Sequence, residues 1–234
     1  KGLFPRAIVQ SGSTIRQMEG SNSPAVCKAF LEALGLNPET PAQQLAEQLA
    51  ALPYEDVLAA GNAAGRKAGG RFSPVVDGTV LPQHPFDPAP EISRDVPMLI
   101  GSNLNEFCYT NNVEFTIDER VRKNVLDQAG IKAAQGGAPA YVYLFSWISE
   151  VNDRALAACH GMELPFMFNN VAVQREMTGG TKEAYALADK MSSAWIQFVK
   201  TGDPNTPKLP KWAPFDPQTE ATMVLDNECK MSYK

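Results

Sequence analysis

The chain has 234 residues, of which 44% are hydrophobic and 20% charged, and its formal net charge is −5. This is the composition of an ordinary globular protein with enough apolar side chains to bury a core. The negative net charge argues against nucleic acid or an anionic membrane as the main partner. No run of about 18 apolar residues occurs, so we expect no membrane-spanning helix.

Neither the first residues of the chain nor its cysteines indicate a cellular location. Lys1 opens the sequence with neither an initiator Met nor a signal-peptide pattern, so we interpret it as an internal point of a longer polypeptide. Cys27, Cys108, Cys159 and Cys229 lie far apart and form no CxxC pair, which argues against a metal site or a dense disulfide framework. Their spacing is compatible with one or two bridges and with a secreted, periplasmic or cytoplasmic location.

The first third of the chain predicts one strand followed by helices. Residues 7–12 form a short apolar run that ends in a turn. Apolar residues at helical spacing predict helices at 24–36, 41–51 and 54–64. A glycine-rich break at 65–70 then separates the third helix from an extended segment and turn at 71–78.

The rest of the chain predicts a sheet with one long helix. Compact apolar runs predict strands at 96–101, 140–147 and 221–226, the first two buried on both faces. Residues 181–200 have one apolar face and are predicted to form a helix capped by Thr181. Because strands alternate with helices along the chain, the predicted class is α/β.

Glu106 is the candidate acid of an acyl-transfer site. Serine acyl transfer needs a hydroxyl that attacks, an imidazole that takes its proton and a carboxylate that orients the imidazole. In α/β-hydrolases these groups follow the C-terminal ends of strands in the order serine, acid, histidine. Glu106 follows the predicted strand at 96–101 by five residues. The alternative is a solvated loop carboxylate, which describes most glutamates.

The chain contains two histidines, so a histidine-dependent mechanism within it must use one of them. His160 follows the predicted strand at 140–147 through a loop, which makes it the candidate base. The alternative is a surface or capping histidine. His84 lies in an irregular segment, and we predict a structural role for it.

The sequence offers no evident nucleophile. A Gly-x-Ser-x-Gly turn would expose the serine hydroxyl, but no such pentapeptide occurs. The nearest mimic contains Ser11 and Ser13, and neither has the flanking glycine pair. We expect Ser11 to donate a hydrogen bond near the site instead of attacking. Cys159 is a weaker candidate nucleophile, because it adjoins His160 in sequence and adjacent side chains seldom meet productively.

Five segments together resemble the type-B carboxylesterases, a cholinesterase-like family of the α/β-hydrolase superfamily. They are similar, in order, to the family's stretch after the nucleophile helix, its central signature, its acid-bearing loop, its histidine loop and its C-terminal helix. In this chain the segments lie at 2–13, 72–82, 95–106, 160–166 and 195–212. By this resemblance Glu106 is the triad acid and His160 the general base.

The resemblance also implies a fold. It implies that residues 1–234 are the C-terminal part of a single α/β-hydrolase domain, in which helices flank a mostly parallel sheet. The nucleophile elbow is expected roughly fifteen residues before Lys1, and the N-terminal oxyanion-hole glycines also lie outside the chain. A sheet edge left exposed by the missing part is expected to cause self-association or pairing with that part.

Two departures from the family pattern concern the site. Only 53 residues separate Glu106 from His160, about half the family's usual interval, so a segment between about 110 and 128 is expected to be missing. Phe107 stands where a glycine commonly follows the acid, and we expect this bulky residue to shift the loop.

The resemblance implies a serine carboxylesterase that hydrolyses small carboxylic esters through a Ser-His-Glu triad. Such chemistry needs no metal and no organic cofactor. The chain would supply the acid and the base but not the serine, so we expect it to be inactive alone. A catalytically silent, cholinesterase-like interaction domain is the alternative, although adhesion would require neither Glu106 nor His160.

Overall fold

The structure, a computed structural model, describes residues 2–68, 72–107 and 117–234. Cys108 and part of the predicted missing segment lie outside these ranges. The chain divides into two compact units. Lys1–Ile15 and Pro88–Lys234 form one, here called the sheet unit, and Arg16–Asp87 form the other, here called the helical unit.

The described residues form seven strands and seven α-helices. The strands are β1 (Ala7–Gln10), β2 (Met18–Glu19), β3 (Val75–Val76), β4 (Met98–Asn103), β5 (Ala140–Phe145), β6 (Thr222–Leu225) and β7 (Lys230–Ser232). The helices are α1 (Ser23–Ala33), α2 (Ala42–Ala50), α3 (Tyr54–Ala68), α4 (Glu119–Ala134), α5 (Leu164–Met167), α6 (Arg175–Thr178) and α7 (Lys182–Thr201). None of these helices is both long and apolar enough to span a bilayer.

The sheet unit is built on five strands in the order β1-β4-β5-β6-β7. The first four strands are parallel, and β7 pairs antiparallel with β6. Every residue of β4 and β5 is buried, as expected for parallel strands that are covered on both faces. The predicted α/β class, with a mostly parallel sheet flanked by helices, is therefore confirmed.

Helices α7 and α4 cover the two faces of this sheet. Thr181 Oγ1 accepts a hydrogen bond from Ala184 N at 3.2 Å and caps α7 as predicted. The apolar face of α7 shares one core cluster with the side chains of β5 that alternate toward it, Tyr141, Tyr143 and Phe145. Helix α4 contacts β4 and β5, but its buried apolar residues lie outside that cluster. It therefore packs on the opposite face.

One glycine in β4 is required by a close approach. Gly101 lies opposite Tyr143 in the β4–β5 register. A Cβ atom at residue 101 would lie 2.3 Å from Tyr143 Cδ1, far inside van der Waals contact. The tyrosine ring therefore lies directly over the glycine backbone, and the core of the sheet unit leaves no room there for a side chain.

The helical unit consists of α1, α2 and α3 with a small parallel pairing of β2 and β3. Helix α1 packs against α3, and the rings of Phe30 and Phe72 meet edge to face at 5.2 Å between centroids. A glycine-rich break at 65–70 was predicted, but this is wrong for its first part, because α3 continues through Gly65 to Ala68. The residues after that glycine, Arg66, Lys67 and Ala68, have high helix propensity, and the two basic side chains suit the last turn of a helix.

Other differences between prediction and structure are local. Strand β4 begins and ends two residues later than predicted, because its end is polar and yet buried. Helix α4 and strand β7 were not predicted. The buried face of α4 includes two polar residues, Gln128 and Lys132, which weaken its apolar pattern. Strand β7 is short and mostly exposed, so it lacks an apolar signal.

Candidate active site

The candidate site lies where β4 and β5 end. These strands are parallel and in register up to Asn103 and Phe145, so the loops that follow them start side by side. Backbone hydrogen bonds continue past the strands, from Leu104 N to Phe145 O at 2.8 Å and from His160 N to Glu106 O at 3.0 Å. Backbone hydrogen bonds thus hold Glu106 and His160 close together, in addition to the hydrogen bond between their side chains.

Glu106 is fully buried, and three donors hold its carboxylate. Oε1 accepts hydrogen bonds from Ser11 Oγ at 2.5 Å and from Asn103 N at 2.7 Å. Oε2 lies 2.6 Å from Nδ1 of His160. A carboxylate with this many donors is held in one orientation. This is the arrangement that an imidazole-orienting acid requires.

His160 has the complementary exposure, since 45% of its side chain is accessible. If Nδ1 donates to the Glu106 carboxylate, the neutral ring carries its lone pair on Nε2. Within the described part of the chain, Nε2 has no hydrogen-bond partner. The ring can therefore accept a proton from a group that approaches Nε2.

Phe107 packs against this imidazole. The two ring centroids are 4.9 Å apart and the planes are inclined by 30°. A shift of the loop was expected from a bulky residue at position 107. The contact between Glu106 and His160 is nevertheless intact, because the phenyl ring turns toward the histidine and half of it remains exposed.

A second buried carboxylate, Glu163, lies beside the first and was not predicted as a site residue. Its Oε1 accepts a hydrogen bond from Gln10 Nε2 at 3.0 Å, and its Oε2 accepts one from Asn103 Nδ2 at 2.6 Å. Asn103 therefore joins both acids, through its backbone N–H to Glu106 and through its amide to Glu163. The available signal was limited to its partners Gln10 and Asn103, the polar residues that end β1 and β4, and nothing in the sequence marked Glu163 itself.

Tyr143 adds a buried hydroxyl to this polar group. Burial raises its pKa well above the usual range, and the nearby carboxylates of Glu163 and Glu106 act in the same direction. Tyr143 Oη and Asn103 Oδ1 are buried atoms for which the described residues provide no hydrogen-bond partner. Such atoms in a native site are commonly satisfied by ordered water.

Neither alternative nucleophile is well placed. Ser11 donates its hydroxyl proton to Glu106, as expected of a hydrogen-bonding neighbour, and its backbone is left-handed with φ 54°. The Cys159 thiol is buried, and burial raises its pKa, with Glu163 and Glu106 adding to the effect. A raised pKa disfavours the thiolate that attack requires. Cys27, Cys159 and Cys229 are free thiols.

His84 lies in the helical unit, where both of its ring nitrogens are engaged. Nδ1 accepts a hydrogen bond from Gln17 N at 3.3 Å, and Nε2 lies 2.9 Å from Glu19 Oε1. The helical unit also has an open groove of about 700 Å³, whose described lining contains neither a carboxylate nor an imidazole. Among the residues that the structure describes, no group of three or more metal-binding side chains is found.

Comparison with known proteins places the chain in a family. The model of the carboxylesterase family matches residues 1–133 and, in a second stretch, residues 118–234. The chain belongs to the carboxylesterase family. This confirms the resemblance to type-B carboxylesterases that the sequence motifs indicated.

Among curated relatives, the para-nitrobenzyl esterase of Bacillus subtilis (strain 168) is 27% identical over 272 residues, covering 97% of this chain and 54% of the relative. The human cocaine esterase is 25% identical over 284 residues, covering 94% of this chain and 49% of the relative. The chain thus spans about half the length of the curated relatives it matches. Both alignments are longer than the chain, so each relative has residues without a counterpart here.

Solved structures agree on the fold. A carboxylesterase of Geobacillus stearothermophilus has a TM-score of 0.74 and 27% identity, with 100% of this chain and 56% of that chain covered. An esterase from Clostridium hathewayi, described as hydrolysing aliphatic aromatic polyesters, has a TM-score of 0.77 and 25% identity, with 99% and 54% covered. This member of the carboxylesterase family therefore has the α/β-hydrolase fold.

Proposed function

We propose that this carboxylesterase-family chain supplies the acid and the base of a Ser-His-Glu triad that hydrolyses carboxylic esters. One observation carries the proposal: Nδ1 of a half-exposed His160 lies 2.6 Å from the carboxylate of a fully buried Glu106. The buried acid fixes the tautomer of the ring, and the exposed side of the ring faces the reactants. Membership in the carboxylesterase family is the reason for proposing ester hydrolysis as the reaction at this site.

In the proposed reaction, His160 Nε2 takes the proton of a serine hydroxyl as the serine oxygen bonds to the ester carbonyl carbon. The negative oxygen of the tetrahedral intermediate rests on backbone N–H groups. The intermediate then collapses by breaking its bond to the leaving alcohol, which receives the proton from Nε2. Water repeats the sequence on the acyl-enzyme and releases the carboxylic acid. Glu106 stabilises the imidazolium at each stage.

The serine is proposed to come from a part of the protein outside these residues. Strand β1 pairs with β4 along one edge, and within the described residues nothing pairs along its other edge. An open edge next to the site is suited to receive a further strand. We infer that the serine-bearing part joins the sheet there and that 1–234 is the C-terminal part of one domain. Without that part, self-association through this edge is the expected alternative.

The proposal is tested by asking where esterase activity resides. The relatives act, by their names, on para-nitrobenzyl esters, cocaine and polyesters, so a short-chain aryl ester is a neutral first probe. We expect the isolated chain to be inactive. We expect a polypeptide that adds its serine-bearing upstream part to hydrolyse the probe and to be blocked by an organophosphate.

The matched variants are Glu106→Gln and Glu19→Gln, since each glutamate contacts one of the two histidines. The first should lower kcat by about 10³- to 10⁴-fold because the ring loses its orienting acid. Glu19→Gln should leave kcat within about threefold of the wild-type value. Organophosphate-sensitive hydrolysis by the isolated chain would contradict the assignment of the serine. A longer polypeptide without activity would favour the rival interaction domain.

A further inference from the structure

The hydrogen bond between Glu106 and His160 holds one edge of the imidazole, and the tilt of the ring is held less tightly. The ring turns only about χ1 and χ2, so the backbone and the Nδ1···Oε2 contact set its average plane, but the broad range of angles at which carboxylate oxygens accept hydrogen bonds leaves the ring free to tilt about that contact. Nearly half of the His160 side chain is exposed, so the body of the protein does not enclose it. The direction in which Nε2 points therefore needs a second restraint.

The chain that carries His160 does not supply this restraint by regular structure. Residues 151–158, between β5 and His160, form turns, and three consecutive ones, Asn152, Asp153 and Arg154, have left-handed φ values of 52°, 52° and 68°. Such a conformation is costly for residues with a side chain. The end of this segment is held by backbone hydrogen bonds to the loop after β4, so the group that still needs a restraint is the ring itself.

Phe107 is the residue that contacts the ring face. Its ring centroid lies 4.9 Å from that of His160, at an inclination of 30°. Its backbone is held, because it directly follows the buried Glu106, whose backbone oxygen accepts the His160 N–H at 3.0 Å. The acid that holds Nδ1 and the ring that covers the imidazole face therefore come from adjacent residues on one loop.

We propose that Phe107 is a positioning residue, which holds the plane of the His160 imidazole so that Nε2 points at the reacting hydroxyl. The inference rests on the proposed esterase function. The phenyl ring covers a face of the imidazole and leaves Nε2 at its edge uncovered by any hydrogen-bond partner within the described residues. Aromatic pairs of this kind contribute enough to change a rate by about 2- to 10-fold.

The first experiment needs no catalysis and uses the chain as it is. Proton NMR of the two histidines should show the ring signals of His160 displaced upfield by the phenyl ring current, with His84 as the internal reference. The displacement should vanish in Phe107→Leu and persist in Phe107→Tyr, which keeps an aromatic face. Phe168→Leu is the matched control, because Phe168 is 66% exposed and belongs to no aromatic pair among the described residues.

The second experiment measures kcat and KM for an aryl ester in the polypeptide that carries the serine. Phe107→Leu should lower kcat by about 2- to 10-fold with little change in KM, and Phe107→Tyr should restore it. Phe168→Leu should leave kcat unchanged. Unaltered His160 signals in Phe107→Leu, or a rise in kcat, would overturn the proposal. Absent hydrolysis in every variant would instead count against the esterase function, while the NMR result would still decide the stacking.

Discussion

The two histidines are each paired with a glutamate, and the two pairs are opposite in almost every respect. In the sheet unit, Glu106 is fully buried and 45% of the His160 side chain is exposed. In the helical unit, 10% of the His84 side chain is exposed and 49% of the Glu19 side chain. The sheet unit hides its acid and presents its imidazole, whereas the helical unit does the reverse.

The hydrogen bonds sharpen this contrast. His84 uses both ring nitrogens, since Nδ1 accepts from Gln17 N and Nε2 contacts Glu19. A neutral ring held in this way has no lone pair left for a reactant. His160 uses Nδ1 alone within the described residues, so the lone pair on Nε2 is available. A contact between histidine and glutamate therefore does not by itself indicate catalysis, and the proposed role of His160 depends on the burial of its acid and on its open second nitrogen.

The largest expected effect comes from replacing each histidine by asparagine in the serine-bearing polypeptide. His160→Asn should lower kcat for an aryl ester by about 10⁴-fold or more, because the hydroxyl loses its proton acceptor. His84→Asn should change kcat by less than about threefold, since that side chain binds within the helical unit. Steady-state assays at matched protein concentration decide the comparison, and an equal loss in both variants would refute it.

A second contrast between the units concerns packing. Gly101→Ala places a Cβ atom 2.3 Å from the Tyr143 ring, so it should lower the free energy of unfolding by about 3 kcal/mol. Gly61 lies inside α3, and a Cβ atom there would meet Phe72 Cε2 at an ordinary 3.6 Å. Gly61→Ala should therefore raise the free energy of unfolding by about 0.5 to 1 kcal/mol through helix propensity. Urea denaturation followed by circular dichroism measures both, and a tolerated Gly101→Ala would show that the tyrosine can move.

Much of the sheet unit could be predicted from sequence, because its strands are apolar runs and its long helix has a capped, one-sided apolar pattern. Glu106 and His160 were also predicted as site residues, because each follows a predicted strand and the loops that follow parallel strands lie at the same edge of the sheet. The catalytic role of the two residues stays a prediction. The sequence could not show that Glu106 and His160 would be joined by a backbone hydrogen bond as well as by their side chains.

The parts that sequence did not predict depend on tertiary contacts. Glu163 carries no local sign of burial, and it is buried at 2% exposure because Gln10 and Asn103, distant in sequence, satisfy its oxygens. The contact of the Phe107 ring with His160 was likewise not predicted, since nothing local in the sequence places the two rings together. The burial of Glu163 and the ring contact of Phe107 both depend on which residues the fold places next to them. The spacing of residues along the chain does not show this.

A smaller effect is expected at Ser11, which supports the buried acid. Ser11→Ala removes a charge-assisted hydrogen bond to Glu106 and should lower the free energy of unfolding by about 2 kcal/mol. Ser11→Gly removes the same bond but relieves the left-handed φ of 54°, so its loss should be about 1 kcal/mol smaller. Equal losses in the two variants, measured by urea denaturation, would mean that the strain at residue 11 is negligible.

The smallest effect concerns the exposed acid of the helical unit. Hydrogen bonds from His84 first and from Arg16 second lower the pKa of Glu19 below its ordinary 4.5. A lowered pKa means that the ionised carboxylate stabilises the folded state above pH 4.5 and that this contribution is lost as the pH falls through the lowered value. Urea denaturation of the wild type and Glu19→Gln should therefore give a gap in unfolding free energy at neutral pH that narrows below pH 4.5. A gap that is constant with pH would show that the effect of Glu19 comes from its shape and not from its charge. That result would remove the charge from the comparison and leave solvent exposure as the difference between the two histidine–glutamate pairs.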